Sequence, residues 1–349
     1  MGKQLPNLYA IRFILAILVV IHHIPETSNN VSLPSFDGLP LFHKGKLAVL
    51  YFFTLSGFLI IRLIYLELST KKSFDFKNFY LRRVQRLYPV YYLVLIIGFT
   101  FYNFILPAAG IPYNIEYPWD EFFIGYVFLA PNVIAHYYKV GGILNILWSI
   151  GVEEQFYLFA PFLIYLGRRH IILTLSILLT ILVGIALFYF DFYAFKNYYF
   201  YFVCGGLFAV LFEKFKLDFF KNKIIHITVY GLFIISFLTN YLIFESVKFT
   251  LIFNMVLSAL FISLIAYHPL FIIKSKPLNY FGKISYGIYM YHMIALVVIL
   301  YFLKKIDIEN YLNDTSVIIL INAVCIAAAI YISHLSYKYF EKLFYKPKY

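Results

Sequence analysis

Apolar residues run along this chain in long blocks, broken by short polar stretches that hold most of its charge. A block of about 20 apolar residues is the length a helix needs to cross a bilayer core. Read that way, the pattern predicts about ten spans, near 8–25, 46–66, 88–106, 145–166, 170–190, 197–213, 224–244, 250–267, 284–302 and 315–337. A further apolar stretch, Phe122 to Ala130, is too short to cross and reads as re-entrant or interfacial. The expected fold class is an all-α polytopic membrane protein. The first block is too long, and too weakly flanked by positive charge, for a cleaved signal peptide, and no small-residue cleavage site follows it.

Composition agrees with the pattern. Of 349 residues, 62% are hydrophobic and only 13% are charged, which excludes an ordinary soluble globule. Cys204 and Cys325 both sit in apolar blocks and read as small core residues, not as a disulfide or a thiol metal site. No His spacing matches a metal motif. The net charge of +12 does not call for a nucleic-acid partner, because its distribution follows the membrane. With the N-terminus inside, the inner segments carry Lys3, Lys71, Lys72, Lys77, Arg82, Arg83, Arg86, Arg168, Arg169, Lys214, Lys216, Lys221, Lys223, Lys274, Lys276, Lys283, Lys338, Lys342, Lys346 and Lys348. The outer loops carry Lys44, Lys46, Lys139, Lys196, Lys248, Lys304 and Lys305. This bias predicts both termini in the cytoplasm, in a cytoplasmic membrane. No internal repeat and no long polar segment breaks the pattern, so residues 1–349 are expected to form one membrane domain with no fused soluble domain.

Against this background, ionisable residues inside spans draw attention, since charge at membrane depth is expensive and marks functional sites. Leu8 to Ile24 contains Arg12, His22 and His23. Arg12 and His23 are eleven residues apart, three turns plus roughly 20°, so they share a helix face about 16 Å apart along the axis. His22 points about 80° away and is the weaker candidate. In the fourth span, Trp148-Ser-Ile-Gly-Val-Glu-Glu-Gln-Phe-Tyr157 buries two carboxylates. Glu153 lies at a depth similar to His23, and in so apolar a medium the two are expected to pair. Such a carboxylate would fix the imidazole tautomer and stabilise an imidazolium, as a general base requires. The pair could equally serve only to orient two helices. Ser149, Glu153 and Tyr157 fall at i, i+4 and i+8 on one stripe, whereas Glu154 shares its face with Ile150.

Between spans two and three, Arg83 and Arg86 share a face if that segment is helical. Planar guanidinium forks suit phosphate, although basic residues just inside a span are also the ordinary topogenic signal. Ser56-Gly57 lies mid-span, where small residues usually mean close helix packing. Tyr289 and His292 are three apart on one face, a pattern more typical of a satisfied polar core than of a catalyst.

Taken together, these stretches resemble acyltransferase family 3, membrane O-acyltransferases of bacterial surface glycans. The blocks that carry the likeness are Arg12 with His23, Phe53-Thr-Leu-Ser-Gly-Phe58, Arg83-Val-Gln-Arg86 with Tyr88-Pro89, Trp148-Ser149 with Glu153-Glu-Gln-Phe-Tyr157, and Ser285-Tyr-Gly-Ile-Tyr-Met-Tyr-His292. The resemblance implies an acyl-CoA donor, normally acetyl-CoA, used as a substrate with no permanently bound cofactor. It implies His23 as the essential histidine and Glu153 as the acidic residue, with Arg12, Arg83 and Arg86 helping to hold the donor. The acceptor would be a hydroxyl of a surface polysaccharide or other glycan, approached from outside. His23 would deprotonate it or carry the acyl group transiently, with Ser149 and Tyr157 as candidate oxyanion donors. Many relatives carry a fused extracytoplasmic domain, so this chain is expected either to transfer directly or to work with a separate extracytoplasmic transfer protein.

The rival reading is a secondary transporter of a small anionic solute or acylated precursor. Against it, the buried charges cluster in spans one and four, and no paired interrupted helices appear in two corresponding halves.

Overall fold

A computed structural model describes residues 5–111, 113–189, 198–215 and 217–345. Lys3, Lys196, Lys216, Lys346 and Lys348, used in the charge count above, lie outside the described residues. The described residues form helices and their connections, with no strand among them. In chain order the main helices are α1 (Leu8–Asn30), α2 (Gly45–Lys71), α3 (Phe76–Thr100), α4 (Trp119–Val127), α5 (Pro131–Tyr137), α6 (Leu147–Leu166) and α7 (Ile171–Phe188). They continue with α8 (Tyr199–Lys214), α9 (Lys223–Leu238), α10 (Val247–Tyr267), α11 (Lys276–Lys283), α12 (Ser285–Lys305) and α13 (Asp314–Leu335).

Seven helices among the described residues are long and apolar enough to cross a membrane, so the chain is a multi-pass membrane protein. They are α1, α2, α3 with its extension to Ala108, α7 with Arg168–His170, α10, α12, and α13 with its extension to Leu343. The remaining three expected spans coincide with α6, α8 and α9, which are helical but fall short of that standard. α8 and α9 have 16 residues each, roughly 24 Å against a core of about 30 Å. α6 has 20 residues, but Glu153-Glu-Gln155 interrupts its apolar run. The stretch around Phe122 is the nine-residue α4, too short to cross.

Local chemistry explains several boundaries. Asn222, Ser246 and Asn313 cap α9, α10 and α13, their side chains accepting from Ile224 N, Phe249 N and Ser316 N. Such short polar side chains satisfy amide groups that a helix start leaves unpaired. The largest departure from the predicted pattern is α3, which begins at Phe76, twelve residues before the predicted span. The segment carrying Arg83 and Arg86 is therefore helix, not loop, and it runs on through Pro89.

The chain divides into two compact units. The first holds the described residues of 1–15, 46–76 and 152–282. Here α2 and α8 meet through glycines: a β-carbon at Gly57 would overlap the Phe202 backbone, and one at Gly205 the Thr54 backbone. Phe202 stacks on Phe53 at 4.6 Å and on Phe156 at 4.5 Å. Asn7 ties the start of α1 to the segment after α10, donating to Phe271 O at 2.8 Å and accepting from Ile273 N at 2.8 Å.

The second unit holds residues 16–45, 77–151 and the described residues of 283–349. Tyrosines on α3 and its extension fasten the segment between α3 and α6. Tyr91 donates to Tyr126 O at 2.8 Å, and the Tyr102 hydroxyl accepts from Ile143 N at 3.1 Å. Tyr102 also lies under Gly141, whose φ of +80° suits glycine, and a β-carbon there would strike the tyrosine ring.

Candidate functional site

Polar groups buried in these helices gather at several places within each unit. In the second unit, α1 brings His22 and His23 to α12. The His23 ring lies 5.2 Å from that of His292 and 4.9 Å from that of His22, centroid to centroid. His22 is held by a bond between Nδ1 and Phe42 O at 2.7 Å. His292 is fully buried, and its Nδ1 donates to Tyr289 O at 2.5 Å. Tyr289 does not use its hydroxyl on the histidine. That group bonds Ser149 Oγ at 2.6 Å and donates to Ile146 O at 3.0 Å, linking α12 to the start of α6. Ser149 and Tyr289 are both buried.

In the first unit, Glu153 on α6 accepts from Ser56 of α2 at 2.5 Å and from the Tyr157 hydroxyl one turn on, and the two hydroxyls also lie within bonding distance of each other. Two hydroxyl donors on one carboxylate oxygen fix its orientation. Ser56 is thus a polar partner, while its neighbour Gly57 has the packing role. Glu154 is buried, at 6% exposed. Of the expected stripe, Glu153 and Tyr157 are joined, while Ser149 belongs to the second unit with Tyr289. His23 and Glu153 likewise belong to different units. Arg12 is half-buried on α1 in the first unit.

Arg83 and Arg86 lie three residues apart on α3. The Arg83 guanidinium sits over the Phe79 ring at 4.7 Å, and Arg86 is exposed. Arg86 is also close enough for its charge to act on Glu341, a carboxylate near the chain end that accepts from Ser336 and Tyr345, each at 3.2 Å.

Sequence reasoning missed one polar cluster. Arg62 of α2 forms an ion pair with Glu213 of α8 at 2.5 Å, and Tyr267 of α10 bridges them, accepting from Arg62 at 3.0 Å and donating to Glu213 at 2.9 Å. The signal was Arg62 inside an apolar block; its partner lies 151 residues away, beyond the reach of local spacing. Among the described residues no group of three His, Cys, Asp or Glu is placed to hold a metal ion.

A family model for an acyltransferase domain, acyltransferase 3, matches residues 5–334. The chain belongs to the acyltransferase 3 family. It is 27% identical over 323 residues to O-acetyltransferase OatA of Staphylococcus aureus, covering 84% of this chain and 51% of that protein. It is 26% identical over 189 residues to the peptidoglycan O-acetyltransferase OatA of Listeria monocytogenes, covering 53% of this chain and 28% of that one. The chain therefore spans about half, or less, of the length of these relatives. No solved structure matches it. The family match covers Arg12, His23, Ser56, Arg62, Ser149, Glu153, Glu213 and His292, and ends before Glu341.

Proposed function

We propose that this acyltransferase 3 protein moves an acetyl group from cytoplasmic acetyl-CoA to a hydroxyl of a surface or lipid-linked glycan. His23 carries the reading: an imidazole on an apolar membrane helix, in a family of acyltransferases and with O-acetyltransferases among its relatives. In this reading His23 takes the proton of the acceptor hydroxyl as its oxygen attacks the thioester carbon. The new C–O bond forms, the C–S bond breaks, and the proton passes to the departing thiolate. Glu153, already oriented by Ser56 and Tyr157, is the carboxylate that would support the imidazolium. Arg12, Arg83 and Arg86 would hold the donor, the last two at its phosphates.

The reading includes ten spans, with α6, α8 and α9 crossing beside longer neighbours, and both termini in the cytoplasm. It places the whole chain in the cytoplasmic membrane as a single acyltransferase domain. The acceptor is reached directly or through a separate extracytoplasmic transfer protein.

The test uses the detergent-purified full chain. Acetyl-CoA should raise its melting temperature by mass action, and membranes containing it should transfer label from [14C]acetyl-CoA to glycan. His23→Ala should abolish transfer. His22→Ala should keep it, because His22 is engaged by the Phe42 carbonyl. Neither stabilisation nor transfer in the wild type would leave the transporter reading standing instead.

A further inference from the structure

The mechanism above makes no use of His292. Its ring is fully buried on α12, and Nδ1 faces the carbonyl oxygen of Tyr289. A carbonyl can only accept, so in the neutral ring Nδ1 carries the proton and Nε2 presents a lone pair. That Nε2 has no hydrogen-bond partner among the described residues. A buried acceptor left without a donor is costly and calls for an explanation.

The surroundings narrow what the donor can be. The Tyr289 hydroxyl on the same helix is occupied with Ser149 and Ile146. His22 is held at Nδ1 by Phe42. The ring facing His292 is His23, tilted by 31° at 5.2 Å, the base of the proposed reaction. A group that reaches His23 therefore arrives beside His292. Adjacent hydroxyls on a sugar ring offer two O–H groups side by side, matching two neighbouring imidazoles.

We propose that His292 is a specificity-determining residue: Nε2 accepts a hydrogen bond from the hydroxyl next to the one that His23 deprotonates. It thereby fixes which hydroxyl of a polyhydroxylated acceptor becomes the ester. This rests on the acyl-transfer reading above. His292 moves no proton in the reaction; it orients the acceptor, and the proton inventory is that of His23 alone.

The deciding variant is His292→Asn, whose amide can keep the bond to Tyr289 O but has nothing at the Nε2 position. Membranes containing the full chain are given [14C]acetyl-CoA and a β1→4 N-acetylglucosamine tetramer, whose non-reducing ring carries adjacent 3- and 4-hydroxyls, and the acetylated position is mapped by NMR. The acceptor KM should rise about tenfold, the scale of one lost hydrogen bond, while the KM for acetyl-CoA stays within about twofold. Acetyl should also spread to a neighbouring hydroxyl. His292→Gln, whose amide oxygen can reach the Nε2 position, should restore the single position. A residue with only a structural role would lower kcat or stability without moving either readout.

A second measurement needs no variant. With the wild type, deoxy analogues of the acceptor lacking the neighbouring hydroxyl should lose about tenfold in kcat/KM. An unchanged acceptor KM and position in His292→Asn, a rise in the acetyl-CoA KM instead, or full activity on every deoxy analogue overturns the proposal while acyl transfer stands. A wild type that labels no acceptor overturns both.

Discussion

Replacing Gly57 by Ala tests the packing that carries Ser56 to Glu153. A β-carbon in ordinary contact lies 3.4–4 Å from its neighbours. At Gly57 it would overlap the carbonyl oxygen of Phe202 by more than an ångström, and the obstacle is backbone, which no rotamer change can move. α2 and α8 must then separate. A gap of 0.5–1 Å forfeits roughly a quarter to a half of each contact's attraction. Phe202 is fully buried and makes on the order of 40–60 contacts at about 0.1–0.2 kcal/mol each, so the loss there alone is about 1–6 kcal/mol. Residual strain of about 1–3 kcal/mol adds to it where separation is incomplete. We expect Gly57→Ala to destabilise the protein by about 3 kcal/mol or more, and to lower acetyl transfer by shifting Ser56. Thermal unfolding of the detergent-purified protein measures the first effect. Gly184 and Gly231, helical glycines whose β-carbons would meet nothing within 4 Å, are the controls. Ala at either should be neutral or gain up to about 1 kcal/mol from helix propensity. If Gly57→Ala melts with the wild type, or the controls fall as far, the packing argument is wrong.

Arg62→Met and Glu213→Gln each leave one charge of a largely buried pair uncompensated, with side chains 14% and 19% exposed. Each should cost about 3–5 kcal/mol, with the double variant recovering most of it; additive losses in the melting curves would show the pair is uncoupled. Arg83→Lys with Arg86→Lys keeps the charge but loses the planar forks, so stabilisation by acetyl-CoA should weaken about tenfold in apparent affinity; an unchanged titration assigns both residues to topology and lipid. Glu153→Gln keeps the shape but removes the charge, and transfer should fall by about two orders of magnitude. Glu154→Gln should lose far less, and the reverse ranking in the radiolabel assay would move the acid to Glu154.

Where the structure departs from the apolar pattern, the pattern was reading solvent preference and not backbone conformation. Residues 76–87 are polar enough to look like a loop, yet α3 runs through them because nothing before Pro89 breaks a helix. At the other extreme, residues 239–244 are apolar enough to extend a span, but α9 stops at Leu238. The Thr239 hydroxyl donates to Ile235 O there, and Tyr241 N donates to the same hydroxyl, so the side chain competes with the helix for backbone groups.

The polar sites divide along a related line. Contacts inside one helix follow from spacing: Tyr157 reaches Glu153 because they are four residues apart on α6. Contacts between helices do not. Ser56 looked like a packing residue because its block contains Gly57, and nothing within α2 reveals a carboxylate 97 residues away. Arg62 needed Glu213, and His292 met His23, only once distant helices were placed. In a membrane this division is physical. Each helix satisfies its own backbone but has few local partners for a charged or hydroxyl-bearing side chain. The unpaired polar residues that looked anomalous in the sequence are therefore the ones whose partners come from elsewhere, and each invites a search for its complement. His292 Nε2 is one case in which that search among the described residues ends without a partner, and because its ring lies against that of His23, the missing donor is assigned to the substrate.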